Sequence, residues 1–167
     1  MCHAELVSAS LANASDYFCL KQVERSRNKF GMTEGVRIII MKKILVDAVD
    51  AFIIEGQGIF KEMHDLLETF PNNKIILTGA NDEQFKVFSL DKMPYEVFTL
   101  KHNPEKTDPK YYETMLEHFN LNKDDVVYFE HNEDAVKSAQ TIGIKTYHYD
   151  PNKKDLEVLK KFLTENL

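Results

Sequence analysis

From about residue 38 onward the apolar and polar positions follow two rhythms in turn, and the switches between them lay out the elements. Five short apolar runs are long enough for strands and too short for helices. They are Ile38 or Lys43 to Asp47, Lys74 to Thr78, Tyr95 to Leu100, Val126 to Phe129, and Lys145 to Tyr149. Between them, apolar residues recur at helical spacing. Ile59, Met63, Leu66, Leu67 and Phe70 predict a helix from about Ile59 to Phe70, stopped by Pro71. Phe85, Phe88 and Leu90 mark the buried side of a helix capped by Asn81 or Asp82. Tyr112, Met115, Leu116 and Phe119 form the inner face of one whose first turn holds Pro109. Ala135, Val136, Ala139 and Ile142 belong to one capped by Asn132 and ended by Gly143, and Leu156, Leu159 and Leu163 to a closing helix. Residues 51 to 58 read as a short extended piece closed by a glycine turn. Strand followed by helix, repeated in this way, predicts an α/β fold: a three-layer α/β/α, doubly wound parallel sheet of about five strands.

Residues 1 to 36 break the rhythm. They show neither period and mix small with polar side chains, as in Ser8-Ala9-Ser10-Leu11-Ala12-Asn13-Ala14-Ser15. The chain is therefore expected to consist of a poorly ordered amino-terminal extension, residues 1 to 36, and one α/β domain, residues 38 to 167. The opening Cys2-His3-Ala4-Glu5-Leu6-Val7-Ser8-Ala9-Ser10 resembles a translated bacterial intergenic repeat, with Met41 as the natural start. The competing reading is a short helix, about Asp16 to Lys29, packed on the domain or on a partner.

Composition narrows the function classes. At 167 residues, 43% hydrophobic and 29% charged, the chain suits one soluble globular domain. The net charge of -6, with no basic stripe, argues against a nucleic-acid surface. No apolar run approaches a bilayer span and no signal core is evident, so no membrane partner and a cytoplasmic location are expected. Cys2 and Cys19, alone, read as reduced thiols. The sequence gives no indication of oligomeric state.

The chemistry-bearing residues fall at the ends of the predicted strands. In an open parallel sheet, ligands bind where strands end, so Asp47 faces the expected site; the plainer alternative is that Asp47 caps a turn and Asp50 is solvated. Thr78 with Gly79, Lys106 before a helix start, and Glu130 follow in order. His64, His102, His118 and His148 lack ligand spacing and are assigned no role, and the tyrosine pairs are read as packing.

That order resembles the haloacid dehalogenase-like (HAD) superfamily over about residues 42 to 167. The resemblance is carried by Ile75-Ile76-Leu77-Thr78-Gly79, by Lys106-Thr107-Asp108-Pro109-Lys110-Tyr111-Tyr112, and above all by the stretch from Val127-Tyr128-Phe129-Glu130-His131-Asn132 to Gly143-Ile144-Lys145-Thr146. It implies a phosphohydrolase acting through an aspartyl-phosphate on a phosphorylated small molecule or macromolecule. Asp47 would be the nucleophile; Thr78, Gly79 and Lys106 would hold the phosphate, and Asp47 and Glu130 would ligate Mg²⁺. The chemistry is consistent with such roles, since an anionic nucleophile approaching a phosphoryl group needs positive charge and donors nearby.

The chain departs from that pattern at Val49 and Ala51, which stand where the family's phosphatases carry a general acid and a Thr or Val. Asp50 takes over as the acid if the turn has one extra residue. His131 replaces the second member of an acidic pair, and imidazole is a poor ligand for a hard cation. About 25 residues separate the first strand from the strand that ends in Thr78, too few for a large inserted cap domain. Weak or lost activity is therefore expected, with a catalytically degenerate binding or regulatory module as one alternative and a receiver-like signalling domain as another.

Overall fold

The computed structural model describes Met41–Leu167; the expectations for residues 1 to 36 and for a strand starting at Ile38 lie outside the described residues. The chain divides into two units at Ile40 and Met41, and the fold is that of the second. Its first strand, β1 (Lys43–Asp47), is buried from Ile44 onward because it lies at the middle of the sheet. A two-stranded antiparallel hairpin follows, β2 (Ile53–Ile54) with β3 (Gly58–Ile59), and then α1 (Lys61–Glu68), β4 (Lys74–Thr78), α2 (Asp82–Val87) and β5 (Glu96–Thr99). The second half runs α3 (Pro109–His118), β6 (Val126–Glu130), α4 (Glu133–Thr141), β7 (Lys145–His148) and α5 (Leu156–Asn166).

The five long strands form one parallel sheet in the order β5-β4-β1-β6-β7. This order bears out the doubly wound prediction: the chain leaves β1 toward one edge and, after β5, returns to build the other. It also removes the receiver-like alternative, whose fold places its second strand at the edge and its third beside its first.

Strand alternation sorts side chains to two cores. Ile44, Val46, Ile76, Val127 and Phe129 pack with Met63 and Leu67 of α1 and Leu159 and Leu163 of α5. Leu45, Ile75, Leu77 and Tyr128 pack with Tyr111, Tyr112 and Met115 of α3 and Ala139 of α4. With the side-chain period of two, Asp47 and Glu130 continue the second face, so both carboxylates emerge on the side covered by α3 and α4. The β1–β6 register pairs Val46 with Phe129, which makes Asp47 and Glu130 lateral neighbours.

The caps follow local chemistry. Asn81 accepts from the Glu83 and Gln84 amides while Gln84 returns a bond to the Asn81 amide. Asp108 caps α3 ahead of Pro109, and Asn132 caps α4 through the Asp134 and Ala135 amides. Gly143 stands at φ 89° just past α4, a left-handed position that favours glycine.

Two expectations need correction. The first helix begins at Lys61, because the Phe60 amide bonds to the Phe52 carbonyl and Ile59 pairs with Ile53. Ile59 is thus an exposed hairpin residue outside the core. In α2 only the following turn delivers a buried side chain, Leu90; Phe85 and Phe88 are half-buried. Among the described residues no helix is long and apolar enough to cross a membrane.

Candidate functional site

The strand ends named from the sequence meet at one place. Asp47, Asp50, Thr78, Gly79, Lys106 and His131 line a common cavity of about 270 Å³ at the carboxyl edge of the sheet. Glu130 lies beneath it, linked through Lys106.

The centre is a four-membered charge network. The Lys106 ammonium, on the segment leading into α3, donates to Asp47 Oδ1 at 2.5 Å and to Glu130 Oε2 at 2.6 Å. Both carboxylates are almost wholly buried, Asp47 at 1% and Glu130 at 0% exposure, and Lys106 is 16% exposed. His131 closes the ring from the other side: its Nδ1 bonds Asp47 Oδ2 and lies 3.1 Å from Glu130 Oε1. The remaining acceptor capacity of Glu130 is used by the Tyr128 hydroxyl at 2.5 Å and the Asn132 amide at 2.8 Å. The His131 carbonyl is held by His148 Nε2 at 2.9 Å.

These surroundings set the protonation states. Burial is the largest influence on Glu130 and raises it, but the Lys106 charge and the bonds from His131, Lys106 and Tyr128 outweigh burial and hold it well below the usual carboxylate range. Asp47 is pushed upward, first by burial and then by the Glu130 charge, against the pull of Lys106 and His131. Burial lowers Lys106, yet the two carboxylates more than offset it and the ammonium stays charged. His131 is raised to about 10 by its hydrogen bonds to Asp47 and Glu130, so at neutral pH it too is a cation. Two carboxyl groups thus face two nitrogen donors, Lys106 and His131.

Thr78 is buried, and its carbonyl accepts from the Tyr111 hydroxyl at 2.7 Å. Its own hydroxyl accepts from the Ala80 amide at 3.1 Å, and the Thr99 hydroxyl pins the Ala80 carbonyl. The loop after β4 is thereby fixed from three sides. A Cβ at Gly79 would lie 3.1 Å from the His102 ring, so the absence of a side chain lets that loop pass close to the ring. Asp50 stands at the rim, 57% exposed with φ 64°, its Oδ2 3.9 Å from His131 Nε2.

Sequence reasoning missed one wall. His102, given no role, lines the cavity, bonded to Glu105 through Nδ1 at 2.9 Å and to Gln84 through Nε2 at 2.7 Å. Phe88, at the end of α2 and packed against the core, lines it as well. The signal available was the spacing of His102 and Glu105 just ahead of Lys106. His131, treated only as a lost ligand, is instead the second cation of the network.

An α/β sheet of this order, with a carboxylate ending its central strand and a lysine reaching across from a later loop, defines a Rossmann-like protein with its site at the strand ends. The particular fold is HAD-like. No protein-family model matches the chain, and no curated protein is significantly similar to it. Among solved structures, a HAD family enzyme from Bacteroides thetaiotaomicron matches at 12% identity and TM-score 0.58 over 71% of this chain and 98% of that one. The magnesium complex of the same enzyme matches at 14% identity and TM-score 0.55, over 72% and 99%. An uncharacterized protein from Corynebacterium glutamicum matches at 15% identity and TM-score 0.52, over 73% and 95%.

Magnesium does not fit the donor set in this chain. Mg²⁺ seeks near-octahedral oxygen ligation at about 2.0 to 2.1 Å. The candidate cluster of Asp47, Glu130 and His131, with ligand atoms within 4.8 Å of one another, offers a nitrogen at its third corner. Each of the four carboxylate oxygens already accepts at least one hydrogen bond.

Proposed function

We propose that residues 41–167 form a site for a phosphate monoester, with slow phosphohydrolase activity through Asp47. The observation that carries this reading is the convergence of Asp47, Thr78, Gly79 and Lys106 on one cavity at the carboxyl edge of the sheet. A phosphoryl group seated against the Thr78–Ala80 loop would meet the Lys106 ammonium, and one Asp47 oxygen would lie beside phosphorus. Attack by that oxygen forms the Asp47–phosphorus bond and expels the ester oxygen with its electron pair; water then cleaves the acyl-phosphate, releasing inorganic phosphate and restoring the carboxylate. Lys106 and His131 balance the charge on the two carboxylates, which lowers the cost of bringing in an anionic phosphoryl group.

Slow turnover follows from the leaving group. Val49 has no proton to give, and Asp50 stands at the solvent rim; general-acid assistance is typically worth about 10² to 10⁴-fold. The cavity is open, with only the β2–β3 hairpin between β1 and α1, which suits a bulky or macromolecular phosphoester as well as a small one. A cytoplasmic location belongs to the same reading.

A second reading, a phosphate-binding module without turnover, is favoured by one observation: both Asp47 oxygens are engaged by cationic donors. An activated aryl phosphate separates the two. Turnover abolished by Asp47→Asn is the expected result; retention of turnover in Asp47→Asn sinks the nucleophile. Absence of turnover alongside saturable inorganic phosphate binding leaves the module.

A further inference from the structure

We propose that this site works without a divalent cation, the His131 imidazole occupying the corner of the Asp47–Glu130 cluster that a metal would take. The inference rests on the reading above that the cavity receives a phosphoryl group, but it concerns the chain's own donors and has a separate test.

The geometry is specific. A metal bridging Asp47 and Glu130 needs a lone pair from each carboxylate directed to a common point. Here the common points are filled: Lys106 Nζ joins Asp47 Oδ1 to Glu130 Oε2, and His131 Nδ1 sits between Asp47 Oδ2 and Glu130 Oε1. A ring nitrogen that donates to carboxylates has no lone pair to offer an ion. A neutral imidazole carrying its proton on Nδ1 makes the same bonds, so the exclusion depends on placement and not on charge.

The surrounding structure holds the ring in this place. The His131 carbonyl is bonded by His148 from β7, and the next residue, Asn132, bonds Glu130 Oε1 through its amide while capping α4 through its side chain. Moving the imidazole aside to admit an ion would leave Asp47 Oδ2 without its closest donor. It would also have to occur without shifting the α4 cap one residue away. Bringing a hard cation into this cluster therefore means exchanging existing hydrogen bonds of buried carboxylates for metal ligation, displacing both Lys106 and His131 from their places while the ion gives up water it releases reluctantly.

Manganese serves as a spectroscopic stand-in for magnesium. In an electron paramagnetic resonance titration of the full chain with Mn²⁺, the wild type is expected to leave the ion free in solution. The variant His131→Asp is expected to bind one Mn²⁺ per chain, displaceable by Mg²⁺ and at least about tenfold tighter than wild type, as gain of a ligand should give. One displaceable Mn²⁺ per wild-type chain would overturn the proposal. So would a folded His131→Asp variant that binds no better than wild type, because His131 would then not be what fills the place.

A second measurement covers the case in which His131→Asp does not fold. In long-range proton–nitrogen spectra of wild type, the Nδ1-bound proton of His131 should persist unchanged when Mg²⁺ is added, and its loss on addition counts against the proposal. Aryl phosphate turnover, if present, should be the same in chelator as in Mg²⁺. Absence of turnover in both would remove the hydrolase reading while leaving the binding result to stand or fall alone.

Discussion

Replacing Lys106 by methionine should destabilise the domain in a way that depends on pH. The substitution keeps an unbranched chain of similar length and removes the ammonium that joins two carboxylates of 1% and 0% exposure. Removing one partner from a buried ion pair typically costs about 3 to 5 kcal/mol, because the other charge is left uncompensated. His131 remains to bond Asp47, and Asp47, already pushed upward by burial, is the group that takes up a proton. The cost at neutral pH is therefore placed at the lower end, about 3 kcal/mol, and for a domain of this size it corresponds to a fall of roughly 10 °C in the melting temperature.

The sign with pH follows from the same network. Without Lys106 the Asp47 carboxyl moves further up, so the variant's penalty is fully present above that raised value and shrinks as pH falls through it. Thermal melts of wild type and Lys106→Met at pH 8 and pH 5, followed by far-ultraviolet circular dichroism, measure this directly. A double-mutant cycle with Asp47→Asn completes it: removing one carboxylate first should reduce the cost of Lys106→Met by about 1 to 3 kcal/mol. A drop of less than roughly 3 °C at pH 8, an equal drop at both pH values, or an additive cycle would refute the argument that these charges are buried and mutually dependent.

Two further outcomes are expected. His131 is raised from 6.5 to about 10, first by its hydrogen bond to Asp47 and then by that to Glu130. Its contribution to stability should therefore be complete below about pH 6.5 and be lost as pH rises through about 10, a decline visible in urea unfolding across that window and absent in His131→Gln. The fragment Met41–Leu167, the second of the two units, should fold alone and melt within a few degrees of the full chain, whereas a loss on the scale of about 1 kcal/mol or more would make residues 1 to 40 part of the stable fold.

The layout of the fold was legible because most of its instructions are local. The runs Ile44-Leu45-Val46 and Ile75-Ile76-Leu77 have no polar face, which only a strand covered on both sides tolerates, and both runs are buried throughout. Asn132, Pro109 and Gly143 announce helix ends through their own backbone chemistry. The misread helix start at Ile59 has a non-local cause. Ile59 lies at helical spacing from Met63, but the hydrogen bond from Phe60 to Phe52 and the pairing with Ile53 are set by a hairpin whose glycine-rich turn fits neither rhythm. Tertiary pairing overrode the local period.

The site divides along the same line. Asp47, Thr78 and Glu130 were readable because a strand end in a parallel sheet is an address, and Lys106 because it precedes a helix whose start is marked by Pro109. His131 was readable only as a departure, since a sequence shows which residue is missing but not which bond its replacement makes. In the folded chain, the residue after Glu130 turns back over Asp47, and the carbonyl bond from His148 and the Asn132 cap fix that turn. An aspartate at this position would place a third carboxylate beside two buried ones, a repulsion that a divalent cation would offset. A histidine there supplies a donor to the same two carboxylates and, with Lys106, joins each to the other through a nitrogen. The substitution that reads as damage against the HAD pattern is, in the geometry of this chain, the completion of a closed network.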